Sequence, residues 1–245
     1  TLFGTNLAGQ IKPQMVDKWN VSKDNLTWTF TLRDGLEFHD GKPVTSEDVV
    51  ASLKRWASRD SFGGVMAKSV DAWETPDAKT LVIKLKQPFG VMLEALGKPS
   101  SNVPFIMPAR IAATPGSEQI KEHIGSGPFK FVANEYKPGE RLVYVKNDKY
   151  KSRAEAPDGT TGGKPVYTDR VEWVIIRDPQ TQFNALVAGE VDIVEQPTFE
   201  QYASLKAQKD IKIVDAQPAG LQFIFRFNHL HAPFDNVKIR QAAML

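Results

Sequence analysis

Hydrophobic and polar residues alternate without interruption along residues 27–32, where threonines separate Trp28, Phe30 and Leu32. A period of two that is carried by aromatic and β-branched residues predicts a half-buried β-strand. The run 80–85 has the same character and predicts a second strand. The first half of the chain therefore contains at least two predicted strands.

Two tight turns and a capped helix are predicted directly after the first strand. Asp34-Gly35 and Asp40-Gly41 are strong turn signals, because glycine accepts positive φ and aspartate bonds its own backbone. Thr45 or Ser46 can then cap a helix whose first turn is acidic, which complements the helix dipole. The apolar face of this helix is predicted from residues at helical spacing, namely Val49, Leu53 and Trp56.

The second half of the chain alternates predicted strands and helices. Residues 128–133 and 141–146 form a predicted hairpin that turns at Lys137-Pro-Gly139. Short helices are predicted over 181–188, before Gly189, and over 198–207. Further strands are predicted over 171–176, 191–194, 211–214 and 221–227. This alternation is typical of an α/β sheet with helices on its faces.

Composition narrows the class of protein. The chain has 245 residues, of which 41% are hydrophobic and 24% charged, so it can bury one large core or two small ones. A formal charge of +2, with basic and acidic residues interleaved, argues against a nucleic-acid partner. Cysteine is absent, which excludes disulfides, thiolate metal sites and a cysteine nucleophile. No apolar run approaches the ~20 residues that a membrane-spanning helix needs.

The candidate catalytic patterns all have simpler structural interpretations. His39-Asp40 fits part of a metal dyad, but such a site needs further histidines, and a turn explains the pair as well. His229 and His231 lie two residues apart and either bind a metal or end a solvated strand. Ser126 lies in Gly-Ser-Gly-Pro, which lacks the last glycine of a nucleophile elbow and the lysine of a phosphate-binding loop. We therefore predict no catalytic residue and no metal site.

Carboxylates and aromatics leave two further alternatives open. Glu190 and Asp192 flank the start of one predicted strand without an evident acid/base partner in the sequence. Phe223, Phe225 and Phe227 alternate on one predicted strand, where they either pack in a core or contact a ligand.

Several blocks of the sequence resemble one family, the large extracytoplasmic solute-binding proteins of ABC importers, which bind oligopeptides, dipeptides or nickel. The first block is the strand, turns and capped helix of residues 28–50. Five further blocks follow the family's order along the whole chain, namely Lys12 to Trp19 ("P-x-L-A-x-x-W"), Gly125 to Phe129 ("G-T-G-P-Y"), Tyr144 to Tyr150 ("x-R-N-x-x-Y"), Ala188 to Asp192 ("x-x-G-E-x-D") and Ala232 to Ala242 ("P-F-x-D-x-R-V-R-x-A").

The resemblance implies a mixed α/β fold of the type II periplasmic-binding-protein kind, with lobe I only. Residues 1–14 and 125–245 are expected to build an incomplete mixed core sheet of this lobe, and residues 15–124 a smaller inserted α+β subdomain. Family proteins are about twice as long as this chain. Since residues 241–245 stop inside a helical pattern and no signal peptide is visible at Thr1, we expect a piece of a longer protein whose second lobe lies elsewhere.

The resemblance also implies a function. It predicts the substrate-binding component of an ABC importer, a periplasmic or extracytoplasmic monomer without enzymatic activity or cofactor. Its expected partners are a small solute, of which a peptide is the first candidate, and the permease subunits of the importer. Ligand contacts are predicted in the loop after the capped helix and in the strand region near the hinge, namely Phe62, Val65, Met66, Gly220, Leu221, Gln222, Phe223 and Asn228.

Two other functional classes remain as alternatives. A secreted hydrolase of glycans or phosphoesters would require convergent carboxylates or histidines with shifted pKa values. Alternatively, the family fold is reused as a sensor or chaperone domain. Within the first interpretation the ligand stays open between a peptide, a nickel chelate, a sugar and an opine.

Overall fold

The computed structural model describes residues 1–216, 220 and 224–244. These residues form two compact units, Thr1–Ile175 and Ile176–Leu245, which we call unit 1 and unit 2. Unit 1 combines helices with strands, in line with the predicted mixed α/β class. Among the described residues, none of the helices is long and apolar enough to cross a membrane.

Unit 1 contains three antiparallel sheets, four α-helices and a 3-10 helix at Ala133–Glu135 among its described residues. Its strands are β1 (Phe3–Thr5), β2 (Ile11–Pro13), β3 (Val16–Val21), β4 (Thr27–Leu32), β5 (Val70–Glu74), β6 (Thr80–Leu85), β7 (Phe129–Phe131), β8 (Arg141–Lys146) and β9 (Arg170–Val174). Its helices are α1 (Ser46–Ala57), α2 (Ser61–Ser69), α3 (Met92–Gly97) and α4 (Ala109–Ala112). Strands β1 and β2 pair with each other, the next four form a sheet in the order β3-β4-β6-β5, and the last three form a sheet in the order β7-β8-β9.

The two strongest strand predictions are confirmed. Strand β4 spans 27–32 and buries every second side chain, because its alternating face of Trp28, Phe30 and Leu32 points into the core. Strand β6 spans 80–85 and pairs antiparallel with β4, in a register that places Trp28 opposite Ile83. Phe3 from β1 packs edge-on against Phe30, with ring centroids 5.8 Å apart, and so joins the first strand to the same core.

The predicted capped helix is also confirmed as α1. Thr45 is its N-cap, and the carboxylate of Asp48 accepts hydrogen bonds from the Thr45 amide and hydroxyl at 2.8 and 2.7 Å. This reciprocal capping box satisfies amides that have no partner within the helix. Val49, Leu53 and Trp56 are all buried, as their helical spacing predicts.

The predicted hairpin is confirmed by β7 and β8, and β9 extends it to a third strand along 170–174. All pairings in the described part of the chain are antiparallel. Within the described part of 125–245, each of the three strands pairs with its sequence neighbour, and no crossover helix separates them.

Unit 2 contains helices but no paired strand among its described residues. Its helices are α5 (Pro179–Val187), α6 (Tyr202–Lys206) and α7 (Val237–Ala242), and a 3-10 helix at Phe199–Gln201 leads into α6. The predicted helices at 181–188 and 198–207 are thus confirmed, the second as two shorter turns. Strands predicted over 191–194, 211–214 and the described part of 221–227 are not formed. A short apolar run becomes a strand only where a neighbour completes its hydrogen bonds, and no described segment pairs with these runs.

Candidate functional site

Unit 1 contains a cavity of about 550 Å³ that is lined mainly by apolar side chains. Its walls come from β1, the turn before β3, the turn after β4, the segment 98–107 and the segment 120–128. A mostly apolar cavity of this size with a few polar groups is the usual form of a small-molecule site. The apolar lining includes Phe3, Met15, Leu36, Val103, Phe105 and Ile106.

Helix α2 is joined to the cavity wall by a shielded ion pair. Asp60 is the N-cap of α2 and accepts a hydrogen bond from the Gly63 amide at 2.8 Å. Its other carboxylate oxygen lies 2.6 Å from the ammonium of Lys98, which lines the cavity. Burial acts to raise the pKa of Asp60, but the hydrogen bonds from Lys98 and Gly63 outweigh it and hold the pKa below its ordinary value.

The segment 98–107 is anchored to α1 by side-chain hydrogen bonds. The indole of Trp56 donates to the carbonyl of Asn102. The Ser52 hydroxyl donates to the carbonyl of Met107 at 3.0 Å and accepts from the Met107 amide at the same distance. Phe105 lies between these anchors and keeps 64% of its surface exposed while it lines the cavity. This phenyl ring is therefore available to a ligand.

Another wall of the cavity, residues 125–128, is held by His39 together with Asn147. The His39 amide donates to the carbonyl of Gly125 at 2.8 Å, and the Gly125 amide lies 3.3 Å from Nδ1 of the ring. Nε2 lies 3.1 Å from the carbonyl of Gly127, which also accepts from the Asn147 side chain at 3.0 Å. Burial lowers the pKa of the His39 imidazole, although its hydrogen bond to Gly127 acts in the opposite direction.

Two further cations line the cavity. The guanidinium of Arg33 donates to the carbonyl of Lys151 at 2.6 Å, and the ammonium of Lys164 donates to the carbonyl of Thr160 at 3.1 Å. Burial lowers the pKa of both groups. The arrangement offers apolar contact and polar fixation, and it contains no nucleophile that is paired with a base.

The predicted contacts at 61–66 lie on a helix, so the expectation of a loop there is wrong. The Gly63-Gly64 pair reads as a loop, but a Cβ on Gly63 would lie 2.9 Å from the Trp56 ring, so the glycine allows α2 to approach α1. Met66 has no exposed surface and belongs to the hydrophobic core, which removes it from any ligand surface in this conformation. Phe62 is half-buried against Phe89, with ring centroids 6.2 Å apart, whereas Val65 is exposed.

The predicted contacts of the second region lie in unit 2. Gly220 has a φ of +72°, and Asn228 accepts a hydrogen bond from the Leu230 amide at 3.1 Å. Leu221, Gln222 and Phe223 lie outside the described residues. Of the alternating phenylalanines, Phe225 and Phe227 contact one another with ring centroids 4.9 Å apart, and both contact Phe234.

Sequence reasoning missed the cavity, because its lining comes from segments that are far apart along the chain. The motif Gly125 to Phe129 was a usable signal, since three of its backbone groups are held by the side chain and amide of His39. His39 uses both ring nitrogens on the backbone, which leaves none for a metal. Within the described part of the chain, no group of three or more histidine or carboxylate side chains is placed to hold a metal ion.

Comparison with known proteins identifies the family to which the chain is similar. The profile of the bacterial extracellular solute-binding proteins, family 5 (middle), matches residues 10–245. The chain is 43% identical over its whole length to a probable peptide ABC transporter periplasmic-binding protein, y4tO, of Sinorhizobium fredii, and it covers 46% of that protein. The chain thus spans about half the length of the curated relatives it matches.

Solved structures agree in fold. A periplasmic binding protein, AgaA, of A. tumefaciens R10 in complex with agropinic acid is 32% identical, with a TM-score of 0.65 over 85% of this chain and 40% of that one. A dipeptide-binding protein of Pseudoalteromonas sp. SM9913 in complex with Met-Leu is 19% identical, with a TM-score of 0.75 over 98% of this chain and 49% of that one.

These matches confirm the resemblance and the type II periplasmic-binding-protein fold. They consist of solute-binding proteins rather than enzymes, so they give the hydrolase alternative no support. The chain belongs to the bacterial extracellular solute-binding proteins of family 5.

Proposed function

We propose that the longer protein to which this chain corresponds captures a peptide-like solute outside the cytoplasm and delivers it to the permease subunits of an ABC importer. The observation that carries this proposal is the 43% identity, over the full length of the chain, to a protein described as a peptide ABC transporter periplasmic-binding protein. The AgaA and Met-Leu complexes support the wider statement that similar folds hold small solutes.

The cavity of unit 1 is our candidate for part of the solute site. Its apolar lining suits the side chains of a peptide or an opine, and exposed Phe105 offers a flat contact surface. The cations Arg33 and Lys164, which are bonded to backbone carbonyls, suit a carboxylate on the solute.

Other parts of the proposal come from the sequence. Phe62 and Val65 remain proposed contacts on α2, and Gly220, Leu221, Gln222, Phe223 and Asn228 remain proposed contacts of their own region. We also propose that the protein is monomeric, that it is periplasmic or otherwise extracytoplasmic, and that residues 1–14 with 125–245 and residues 15–124 are the two parts of lobe I.

Native mass spectrometry of the longer protein tests the proposal. We expect the protein, purified without denaturation and mixed with a dipeptide library, to carry peptide masses and to leave the peptides uncleaved. Phe105→Ser is expected to weaken peptide retention at least about tenfold, since an aromatic contact is lost. The matched control is Tyr167→Ser, which changes an aromatic residue that is 90% exposed and does not line the cavity. Cleaved peptides, or equal retention in the two variants, would contradict the proposal.

A further inference from the structure

One histidine holds the wall of the cavity, and it does so through both of its ring nitrogens. The wall is residues 125–128, all of which line the cavity. Nδ1 of His39 faces the Gly125 amide at 3.3 Å, and Nε2 faces the Gly127 carbonyl at 3.1 Å. No other side chain in the described residues bonds both Gly125 and Gly127.

The two partners fix the protonation state of the ring. A backbone amide only donates, so Nδ1 must be unprotonated to accept from Gly125. A carbonyl only accepts, so Nε2 must carry the proton to donate to Gly127. The observed contacts therefore require a neutral imidazole, and a proton added at Nδ1 would face the Gly125 N–H group directly.

The charged groups around His39 do not favour the added proton strongly. Lys130 on β7 opposes it, whereas the carboxylate of Asp40 in the same turn favours it. Asp40 lies 3.4 Å from the guanidinium of Arg110 on α4, which also pairs with Glu122. The carboxylate nearest in sequence is thus already shared with a cation, and burial is the largest influence that lowers the pKa of His39.

We propose that His39 is a proton-sensitive positioning residue, whose protonation releases the Gly125 amide and loosens the wall 125–128 of the cavity. We call the two hydrogen bonds of the His39 ring, to Gly125 and Gly127, the clamp, and the clamp is inferred from geometry alone. Its consequence, that acidification weakens solute binding, rests on the proposed function of the cavity. We expect the wall to loosen as the pH falls below the ordinary histidine pKa of about 6.5. In that range the imidazole is protonated when the wall is open or the chain is unfolded, whereas the two hydrogen bonds of His39 require it to be neutral.

Nuclear magnetic resonance of the unaltered chain tests the clamp without any ligand. Two-bond ¹H–¹⁵N correlations of the His39 ring at pH 7.5 should show a proton on Nε2 only. Hydrogen-exchange protection of the Gly125 amide, corrected for the intrinsic rate, should fall by up to about tenfold for each pH unit below about 6.5. A proton on Nδ1 at pH 7.5, or protection of Gly125 that does not change down to pH 5, would overturn the proposal.

Variants separate a proton-sensitive clamp from a merely structural histidine. His39→Asn keeps an acceptor side chain at this position but does not titrate, so its Gly125 protection should not vary with pH. His229→Asn removes a histidine of unit 2 and should retain the pH response of the unaltered chain. If His39→Asn shows the same pH response as the unaltered chain, the response belongs to another group and the proposal is wrong.

Binding to the longer protein connects the clamp with the site. We expect the affinity for the dipeptide Met-Leu, measured by calorimetry, to fall together with Gly125 protection as the pH is lowered, and to stay constant in His39→Asn. Constant affinity in the unaltered protein, while Gly125 protection falls, would refute the link between wall and site. Absence of Met-Leu binding at pH 7.5 would contradict the proposed peptide site. The hydrogen-exchange experiment alone would then decide whether the clamp exists.

Discussion

The two units of this chain differ in how their apolar residues are used. Unit 1 holds one continuous core cluster that includes Phe3, Phe30, Leu53, Met66 and Leu81, all of them almost fully buried. The described residues of unit 2 bury only two hydrophobic side chains, Ala185 and Leu205. Several large side chains of unit 2 are mostly exposed, namely Ile193, Phe199, Phe225 and Leu230.

The difference shows what an apolar pattern needs before it becomes structure. In unit 1, each strand of the β3-β4-β6-β5 sheet finds a partner within about sixty residues, and α1 covers the buried face. In the described residues of unit 2, apolar runs of similar length have no paired strand, and only the helices, which satisfy their own backbone, are formed. We therefore expect unit 1 to carry most of the stability that this chain possesses.

Removal of an aromatic ring should give the largest difference in stability loss between unit 1 and unit 2. Phe30→Ala in β4 is expected to cost about 3–5 kcal/mol of unfolding free energy, because it leaves a cavity between Phe3 and Trp28. Phe199→Ala in unit 2 is expected to change it by no more than about 0.5 kcal/mol, because that ring is 86% exposed. Urea unfolding measures both. Since all five tryptophans lie in unit 1, their fluorescence reports on that unit. Equal losses of unfolding free energy in the two variants would contradict the expectation that unit 1 carries most of the stability.

Loss of the shielded carboxylate Asp60 is expected to be the next largest effect. Asp60→Ala removes the N-cap of α2 and leaves the Lys98 ammonium without its partner, at a cost of about 2–3 kcal/mol. Asp60→Asn keeps a capping oxygen and should cost less, so the difference between the two variants measures the contribution of the cap, whereas the loss in Asp60→Asn relative to the unaltered chain measures that of the charge. Identical melting temperatures for both variants would show that the cap contributes nothing and that the loss of the charge accounts for the whole effect.

The Asp60 carboxylate should also make the unfolding free energy depend on pH in the acidic range. Its folded-state pKa lies below the ordinary value, so its stabilisation is complete above the unfolded pKa of about 3.9 and is lost as the pH falls through the folded value. The unfolding free energy of the Asp60→Asn variant should therefore decline less steeply below pH 4 than that of the unaltered chain. A parallel decline would assign the acid sensitivity to other carboxylates.

Removal of one helix N-cap in each unit should have a smaller effect on stability, and it again compares unit 1 with unit 2. Thr45→Ala opens the capping box of α1 and should lower the stability of unit 1 by about 1 kcal/mol. Asp178→Ala removes the N-cap of α5, whose carboxylate accepts from the Thr181 amide at 2.7 Å. We expect the second variant to speed hydrogen exchange in α5 while tryptophan-detected unfolding stays unchanged. A shift in the tryptophan signal by Asp178→Ala would show that the units unfold together.

Loss of an exposed ion pair should have the smallest effect. Lys79 and Asp34 form a salt bridge in unit 1, but both side chains are mostly exposed to solvent. Exposed pairs contribute little, because water and salt screen the attraction. Lys79→Ala is therefore expected to leave the urea midpoint of unit 1 unchanged within error. A clear shift would mean that stability in unit 1 depends on its surface as well as on its core.

The parts of the fold that sequence predicts well are those with local signals. Strand β4, strand β6 and the cap of α1 are each specified within a dozen residues, by alternation or by the Thr45 and Asp48 pair. Helix α2 was missed because Gly63 signals a loop locally, whereas its role is to admit the Trp56 ring. That requirement depends on a neighbouring helix and is invisible in the local pattern.

The candidate site was harder to predict than the fold. Val65, which is exposed, and Phe62 stay predicted contacts that the resemblance implies, but Met66, predicted beside them, is buried in the core. The cavity joins β1, the segment 98–107 and the segment 120–128, which local periodicity does not connect. A site of this kind follows from tertiary contacts, such as the pair between Lys98 and Asp60, that no spacing along the chain encodes.

A hydrogen-exchange footprint of the longer protein, recorded with and without a saturating dipeptide such as Met-Leu, tests directly whether the unit 1 cavity holds the solute. If the unit 1 cavity is part of the solute site, the backbone amides of 98–107 and 125–128 should gain protection on binding. The amides of β5 and β6, which lie in the core sheet and do not line the cavity, should stay unchanged. Bound solute without any change at 98–107 and 125–128 would show that the cavity is not part of the solute site.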